Sequence, residues 1–224
     1  MKEVAQRLFA ARGIDGVTIK DIVSAAGQKN NASLHYHFGS KEALIAELLL
    51  DGAKLIDAAR QQMLEEILAR GVPIDVRTVV EALVRPVIQL TDSQSGRNTY
   101  MRFIANLQMN HRAFFRNTLG DRWNAAYRRC LDMLRELLVD VPAPLLEQRI
   151  SIMGIYSNAL FSAKEIAADE ALAPSRLWKP DYTLDNIIDT LQAVLEGPVS
   201  HETLSRLPAG ASRPMSQLRE VRSL

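Results

Sequence analysis

Apolar residues recur at helical spacing along nearly the whole chain. Val4, Leu8 and Phe9 share one face of a first segment that Gly13 would end. No segment alternates with a period of two for long enough to suggest a strand. The pattern therefore predicts an all-α fold. Beyond the first segment, helices are predicted over about 18–26, 31–38, 40–70, 75–90, 98–109, 113–138, 145–168 and 184–196.

Polar and special residues mark where several of these helices begin, end or bend. Thr18 and Asp21 resemble a capping box in which Asp replaces the usual Glu or Gln. Ser40 is placed to cap the long helix over 40–70. Pro86 lies inside a helical pattern, where we expect it to kink the helix.

The pattern divides the chain into three parts. We predict a small three-helix domain at 1–48 and a larger helical domain at 49–197. The long helix over 40–70 joins them. Residues 198–224 are rich in Ser, Arg and Pro, and we expect this tail to be partly disordered.

Composition limits the function classes without choosing one. The 224 residues are 47% hydrophobic and carry 27 basic and 26 acidic side chains, so global charge does not indicate a nucleic-acid partner. Cys130 is the single cysteine, which excludes an intrachain disulfide and a Cys-cluster metal site. Apolar runs such as 43–50 are too short to span a bilayer, and the N-terminus lacks a signal-peptide core. We expect a cytoplasmic protein without a cofactor.

The most informative stretch is 18–44, where two short helices meet through Gly27. A helix-turn-helix needs such a tight reversal, and glycine adopts the left-handed conformation at low cost. Its second helix lies in the DNA major groove. The polar face of that helix presents Asn30, Asn31, Ser33 and His35, which are residue types that bind base edges and phosphates.

Residues 4–50 resemble the N-terminal domain of the TetR family of bacterial transcriptional repressors. The matching features include Thr18-Ile-x-Asp-Ile, Ala25-Ala26-Gly27 and, above all, the block over 34–44, Leu-His-Tyr-His-Phe-Gly-Ser-Lys-Glu-Ala-Leu. The resemblance implies a helix-turn-helix domain followed by a helical bundle for dimerisation and ligand binding.

The resemblance also implies roles for individual residues. Lys20 would reach a phosphate or a base edge, and Lys41 would meet a phosphate at a helix N-terminus. Leu34 and Phe38 would pack the small domain. Six residues separate Gly27 from Leu34 where the family commonly has five, which leaves open which of residues 30–33 points at bases. The candidate DNA-binding residues are Thr18, Lys20, Asn30, Asn31, Ser33, His35, Tyr36, His37 and Lys41.

Plainer roles compete with these assignments. Tyr36 could pack inside the domain instead of contacting DNA, and Lys20 and Lys41 could be ordinary solvated lysines. His35 and His37 are two residues apart, so on a helix they point in different directions and cannot share a metal ion. We therefore predict no metal site.

The segment over 97–135 combines eight arginines and two aspartates with interleaved aromatic residues. It could be a solvated arginine face over an aromatic core. It could also line a pocket for an apolar ligand whose negative charge meets an arginine or His111. The candidate ligand-binding residues are Tyr100, Phe103, His111, Arg112, Phe115, Trp123 and Tyr127.

The last two long helices carry apolar stripes that must be buried. In proteins of this kind, two such helices per subunit form a four-helix dimer interface; the alternative is ordinary core within one subunit. The candidate interface residues are Leu146, Arg149, Met153, Tyr156, Leu160, Ile187 and Leu191.

These observations favour a ligand-responsive regulator. We expect a repressor that binds a palindromic operator in double-stranded DNA as a homodimer and is released by a small apolar effector. A helical adaptor and an activator without ligand control remain alternatives. An enzyme is disfavoured because no phosphate loop, nucleophile motif or acid–base pair is evident, and Cys130 lies in an apolar helix.

Overall fold

A computed structural model describes residues 1–28, 32–93, 99–120, 124–169 and 176–208. Within these ranges every regular element is a helix, which confirms the all-α prediction. The elements are α1 (Lys2–Arg12), α2 (Ile19–Ala25), α3 (Ala32–Phe38), α4 (Lys41–Ala69), α5 (Val76–Ser93), α6 (Tyr100–Asn110), α7 (Arg112–Leu119), α8 (Ala125–Leu137), α9 (Ala143–Asp169), α10 (Thr183–Glu196) and α11 (His201–Ser205).

Local capping interactions fix the starts of α2 and α4, as the sequence predicts. The Thr18 hydroxyl accepts the Asp21 N–H at 3.2 Å, and the Asp21 carboxylate accepts the Thr18 N–H at 2.8 Å. The Thr18 hydroxyl also donates to the Asp21 carboxylate at 2.5 Å, and this bond and the one from the Thr18 N–H lower the pKa of Asp21 because they favour its charged form. The Ser40 hydroxyl accepts the Ala43 N–H at 3.1 Å. These contacts satisfy N–H groups that the first turn of each helix leaves free.

Two predicted helices need correction, and part of the predicted tail is helical. The single helix over 113–138 is two helices, α7 and α8, because Gly120 adopts a left-handed φ of 49° and ends α7. The helix predicted over 75–90 ends later, since α5 continues to Ser93. The tail contains α11, where the Ser200 hydroxyl accepts the Thr203 N–H at 3.2 Å; residues 209–224 lie outside the described ranges.

The small N-terminal domain packs directly on the bundle. Leu34 is fully buried and Phe38 is partly buried against the core, as predicted. Helix α1 contacts α6, and the Phe9 ring stacks on Phe103 with centroids 6.1 Å apart. Helix α4 passes through residue 48 without a break, so one core of buried side chains includes residues from both predicted domains.

Buried carboxylates fix two helices of the bundle. Glu165 of α9 accepts the Met101 and Arg102 N–H groups at the start of α6, each at 2.9 Å. Asp57 of α4 accepts the first-turn N–H groups of Ala126 and Tyr127 in α8. A negative charge is favourable at a helix N-terminus, so these contacts hold α6 against α9 and α8 against α4.

None of the helices in the described ranges is long and apolar enough to cross a membrane.

Candidate nucleic-acid interface and ligand cavity

The outer face of α3 exposes its aromatic and imidazole side chains. Tyr36 is 86% exposed, which argues against the alternative that it packs inside the domain. Its ring meets the exposed His37 ring edge-on, with centroids 5.2 Å apart. Lys20 on α2 is also exposed. These groups are free to meet a partner, while the opposite side of α3 buries Leu34.

Other predicted DNA-binding residues have roles within the fold. The His35 Nδ1 lies 2.8 Å from the Gly39 carbonyl oxygen, which orients the exposed ring. Thr18 is committed to the capping box of α2. Asn30, Asn31 and the side chain of Ser33 lie outside the described part of the structure. Which of residues 30–33 faces bases therefore stays open.

Lys41 is half-buried at the N-terminus of α4. Its ammonium donates to the Ile14 carbonyl at 2.6 Å and lies 5.8 Å from the centroid of the Phe9 ring. The contact with Phe9 is a cation–π interaction. An ammonium has three protons to donate, so a phosphate contact at Lys41 stays a prediction alongside this bracing role.

A cavity of about 540 Å³ lies inside the bundle, walled by α4 to α10. Its volume is typical of small-molecule sites. The predicted residues Tyr100, Phe115 and Tyr127 line it, amid mostly aliphatic side chains. Trp123 lies outside the described residues.

Three of the predicted ligand-binding residues do not line the cavity. Phe103 faces the N-terminal domain and is fully buried against Phe9. His111 lies between α6 and α7, where its Nε2 is 3.4 Å from an Asp15 carboxylate oxygen. Arg112 is exposed. The arginine of α7 that lines the cavity is Arg116, one helical turn later.

The sequence analysis missed the most buried cation of the wall, Arg60 of α4. Arg60 is only 6% exposed, and burial lowers the pKa of its guanidinium. It donates to the carbonyls of Ala82 at 3.2 Å and Leu83 at 3.1 Å, and its Nη1 lies 3.7 Å from the Asp57 carboxylate. Its guanidinium also lies 5.5 Å from the centroid of the Tyr127 ring.

Pro86 explains why α5 needs Arg60. Proline has no N–H, so the Ala82 carbonyl four residues earlier lacks its normal helical donor, and the Arg60 Nε occupies that position. The sequence did contain a signal for this role of Arg60. It is a charged residue one turn after Ile56, on a helix face that is otherwise apolar, and a proline lies inside the next helix.

Tyr100 links the cavity to α4. Its hydroxyl donates to the Leu49 carbonyl at 2.9 Å, and its ring occupies the space that a side chain at Gly52 would need. Burial raises the pKa of Tyr100.

Cys130 is fully buried, and burial raises the pKa of its thiol to about 11. It is therefore a core residue in the thiol form.

The predicted dimer stripe requires correction because most of it is core. Leu146, Met153, Ile187 and Leu191 are buried inside the single chain, and Met153 and Leu191 also line the cavity. The apolar periodicity was correct, but it marked the face of α9 and α10 that packs within the subunit.

The other predicted interface residues also make contacts within the chain. The Arg149 guanidinium donates to the carbonyls of Leu195 and Gly197 at the end of α10. The Tyr156 hydroxyl lies 3.3 Å from that of Thr190, and Leu160 is half-buried. The opposite face of α9 instead exposes Ile152, Ile155 and Ile166.

Comparison with known proteins gives this architecture a family. Residues 3–48 match the profile described as bacterial regulatory proteins, tetR family. Residues 81–193, half of the chain, match the tetracyclin repressor-like C-terminal domain.

Individual relatives agree with the profiles. The chain is 33% identical over 134 residues to the HTH-type transcriptional repressor KstR2 of Rhodococcus jostii RHA1, a match that spans 58% of this chain and 61% of that protein. It is 45% identical over 47 residues to KstR2 of Mycobacterium tuberculosis H37Rv, covering 21% of this chain and 23% of that protein.

A solved structure supports the fold. The crystal structure of the probable transcriptional regulatory protein RHA5900 matches with a TM-score of 0.50 at 22% identity, over 89% of this chain and 97% of that one. Since the profiles match both the helix-turn-helix and the bundle, the chain belongs to the TetR family of bacterial regulatory proteins, whose members are transcription regulators and not enzymes.

Proposed function

We propose that this chain is a dimeric repressor that binds a palindromic operator in the bacterial cytoplasm and releases it when an apolar effector fills the cavity. The observation that carries the proposal is the position of α6. Tyr100 and Ile104 on α6 line the cavity, while Phe103 on the same helix stacks on Phe9 of α1. One helix thus contacts both the cavity and the helix-turn-helix domain.

The exposed face of α3 supports the DNA-binding half of the proposal. Tyr36 and His37 can donate to phosphates, and Lys20 adds an exposed positive charge on α2, the other helix of the helix-turn-helix. The matched relatives are named as repressors, which favours repression over activation here.

The exposed face of α9 supports dimerisation. Ile152, Ile155 and Ile166 are 53%, 62% and 42% exposed, although α9 already buries apolar side chains on its other side. A helix that is apolar on two faces needs a second partner, and a palindromic operator requires two-fold symmetry. We therefore place the two-fold contact on this face.

The cavity supports an effector with an apolar body. Arg60 is already compensated by Asp57 and by two carbonyl oxygens, so it does not demand an anion. Arg116 lies in the wall but is otherwise exposed, and it can meet a negative end such as a carboxylate. A carboxylated aromatic or an acyl thioester fits this arrangement.

The mechanism is a shift between two populations. An effector that displaces the side chain of Tyr100 or Ile104 moves α6, and the Phe9–Phe103 contact transmits that movement to α1. The two recognition helices of a dimer must reach successive major grooves about 34 Å apart. A small rotation of each N-terminal domain therefore suffices to lower operator affinity.

Selection of DNA from a random pool, followed by fluorescence anisotropy, tests the DNA-binding half. We expect an inverted repeat that binds about 10³-fold or more tightly than scrambled DNA at the same salt concentration. Recovery of no sequence would contradict the proposal and favour a protein-binding adaptor.

A thermal-shift screen that compares apolar acids with neutral apolar compounds tests the charge of the effector. Stabilisation by the neutral compounds alone would exclude Arg116 as the partner of a negatively charged group.

A further inference from the structure

One polar atom in the cavity wall has no hydrogen-bond partner among the described residues. The amide Oδ1 of Asn124 is buried and accepts no hydrogen bond from any of them, and Asn124 is a wall residue. Leaving a buried acceptor unsatisfied costs about 1–3 kcal/mol, so such an atom calls for an explanation.

The reason is found at the start of α8. Asn124 is the N-cap residue of α8, and an Asn in that position normally accepts the N–H of the second or third helical residue. Here the Asp57 carboxylate accepts both of those groups, from Ala126 at 3.3 Å and from Tyr127 at 3.1 Å. Arg60 holds Asp57 in place from the same helix. A carboxylate from α4 has thus displaced the Asn124 amide oxygen from its usual role.

Other polar groups of the wall are engaged with one another. The Asn158 amide donates to the Gln108 Oε1 at 2.5 Å, and the Ser157 hydroxyl donates to the Met153 carbonyl at 2.6 Å. Arg60 is engaged as described above. Asn124 therefore differs from these neighbours in having an acceptor that none of the described residues uses. Its Nδ2 donates only a long hydrogen bond to the Gly120 carbonyl, at 3.4 Å, so a turn of the side chain would bring the Oδ1 to the cavity.

We propose that the effector carries a hydrogen-bond donor, a hydroxyl or an amide N–H, that binds the Asn124 Oδ1. This inference rests on the proposed function, since it assumes that the cavity is the effector site. The ligand class is an apolar molecule with a hydroxyl or N–H group at the end that lies between α7 and α8. Arg116 is in the same part of the wall, so an anionic group next to that donor is accommodated as well.

A matched pair of probes isolates the donor. Both 1-decanol and 1-methoxydecane have an apolar chain and an oxygen that can accept a hydrogen bond. Only the alcohol has an O–H group that can donate one. We expect isothermal titration calorimetry of the full chain to show that 1-decanol binds about tenfold more tightly, which corresponds to about 1.4 kcal/mol.

Variants assign the preference to one residue. Asn124→Ala should abolish it, while Ser157→Ala, which removes a wall hydroxyl that is bonded within its own helix, should keep it. The Asn124 side chain does not cap α8, so Asn124→Ala should fold, and Asn124→Ser provides a second variant that withdraws the acceptor from the cavity.

The outcomes separate the two proposals. Equal affinity for the two probes in the unmodified protein, or a preference that survives in both Asn124 variants, overturns the role of Asn124 and leaves the effector site intact. Failure of both probes to bind overturns the cavity as the effector site, and this inference with it.

Discussion

The ring of Phe9 in α1 stacks on the ring of Phe103 in α6, with centroids 6.1 Å apart and planes inclined by 29°. Both side chains are fully buried. The ring of Tyr100, a wall residue of the cavity, has its centroid 6.3 Å from that of Phe103, and the Lys41 ammonium lies 5.8 Å from the centroid of the Phe9 ring. A continuous row of contacts therefore connects the cavity with the N-terminus of α4, next to the recognition helix.

The contact of Tyr100 with Gly52 gives a first prediction. A methyl group at position 52 would overlap the Tyr100 ring, and inserting atoms into a packed core costs about 1–3 kcal/mol. Gly52→Ala should therefore lower the free energy of unfolding by about this amount in urea titrations, and it should change effector affinity because Tyr100 must move.

Gly154→Ala is the matched control for Gly52→Ala. Gly154 is also in a helix and in the cavity wall, but nothing lies within 4 Å of an added Cβ, so we expect unchanged or slightly higher stability. Equal effects of the two substitutions would refute the contact.

The pairing of Arg60 with Pro86 gives a second prediction. Arg60→Ala removes the buried cation that faces Asp57 and leaves the Ala82 carbonyl without a donor, so it should destabilise the chain by about 3 kcal/mol or more. In a Pro86→Ala background the loss should shrink by about 1 kcal/mol, because the new N–H can bond the Ala82 carbonyl. Chemical denaturation of the two single variants and the double variant measures the difference. Arg77→Ala, which removes a partly exposed arginine paired with the exposed Asp189, should have little effect. Strictly additive losses at positions 60 and 86 would show that Arg60 does not compensate for the proline.

The exposed face of α9 gives a third prediction. Ile155→Lys should convert a dimer into a monomer, because a charge in an apolar interface is costly to bury. Size-exclusion chromatography with light scattering should give the 25.0 kDa subunit mass for the variant and twice that mass for the unmodified chain. Leu55→Lys changes a similarly exposed side chain on α4 and should leave the dimer intact. A dimer that persists with Ile155→Lys would place the two-fold contact elsewhere.

How much the sequence predicted depended on how local the controlling interaction is. The starts of α2 and α4 are set by contacts over three residues, Thr18 with Asp21 and Ser40 with Ala43, and were predicted correctly. The break between α7 and α8 was missed because helical periodicity continues across it, although Gly120 marks it.

The cavity and the interface depend on long-range packing, which periodicity does not specify. Phe103 and Tyr100 are three residues apart on one helix, yet Phe103 faces α1 and Tyr100 lines the cavity. Likewise, α9 has apolar residues on two faces, and the pattern alone could not show that the Met153 side is core and the Ile155 side is exposed. The role of Arg60 required knowledge that α4 packs against α5 at Pro86.

The face of α3 provides the most direct test of DNA recognition. Fluorescence anisotropy with the selected operator, at one fixed salt concentration, should show that Tyr36→Ala binds at least about tenfold more weakly than the unmodified chain, since an exposed phosphate or base contact is lost. Tyr182→Ala is the control, because Tyr182 is also an exposed tyrosine, at 65%, but precedes α10. We predict a large loss for Tyr36→Ala and a change of less than about twofold for Tyr182→Ala. Unchanged operator affinity in both variants would contradict the assignment of α3 as the DNA-reading helix.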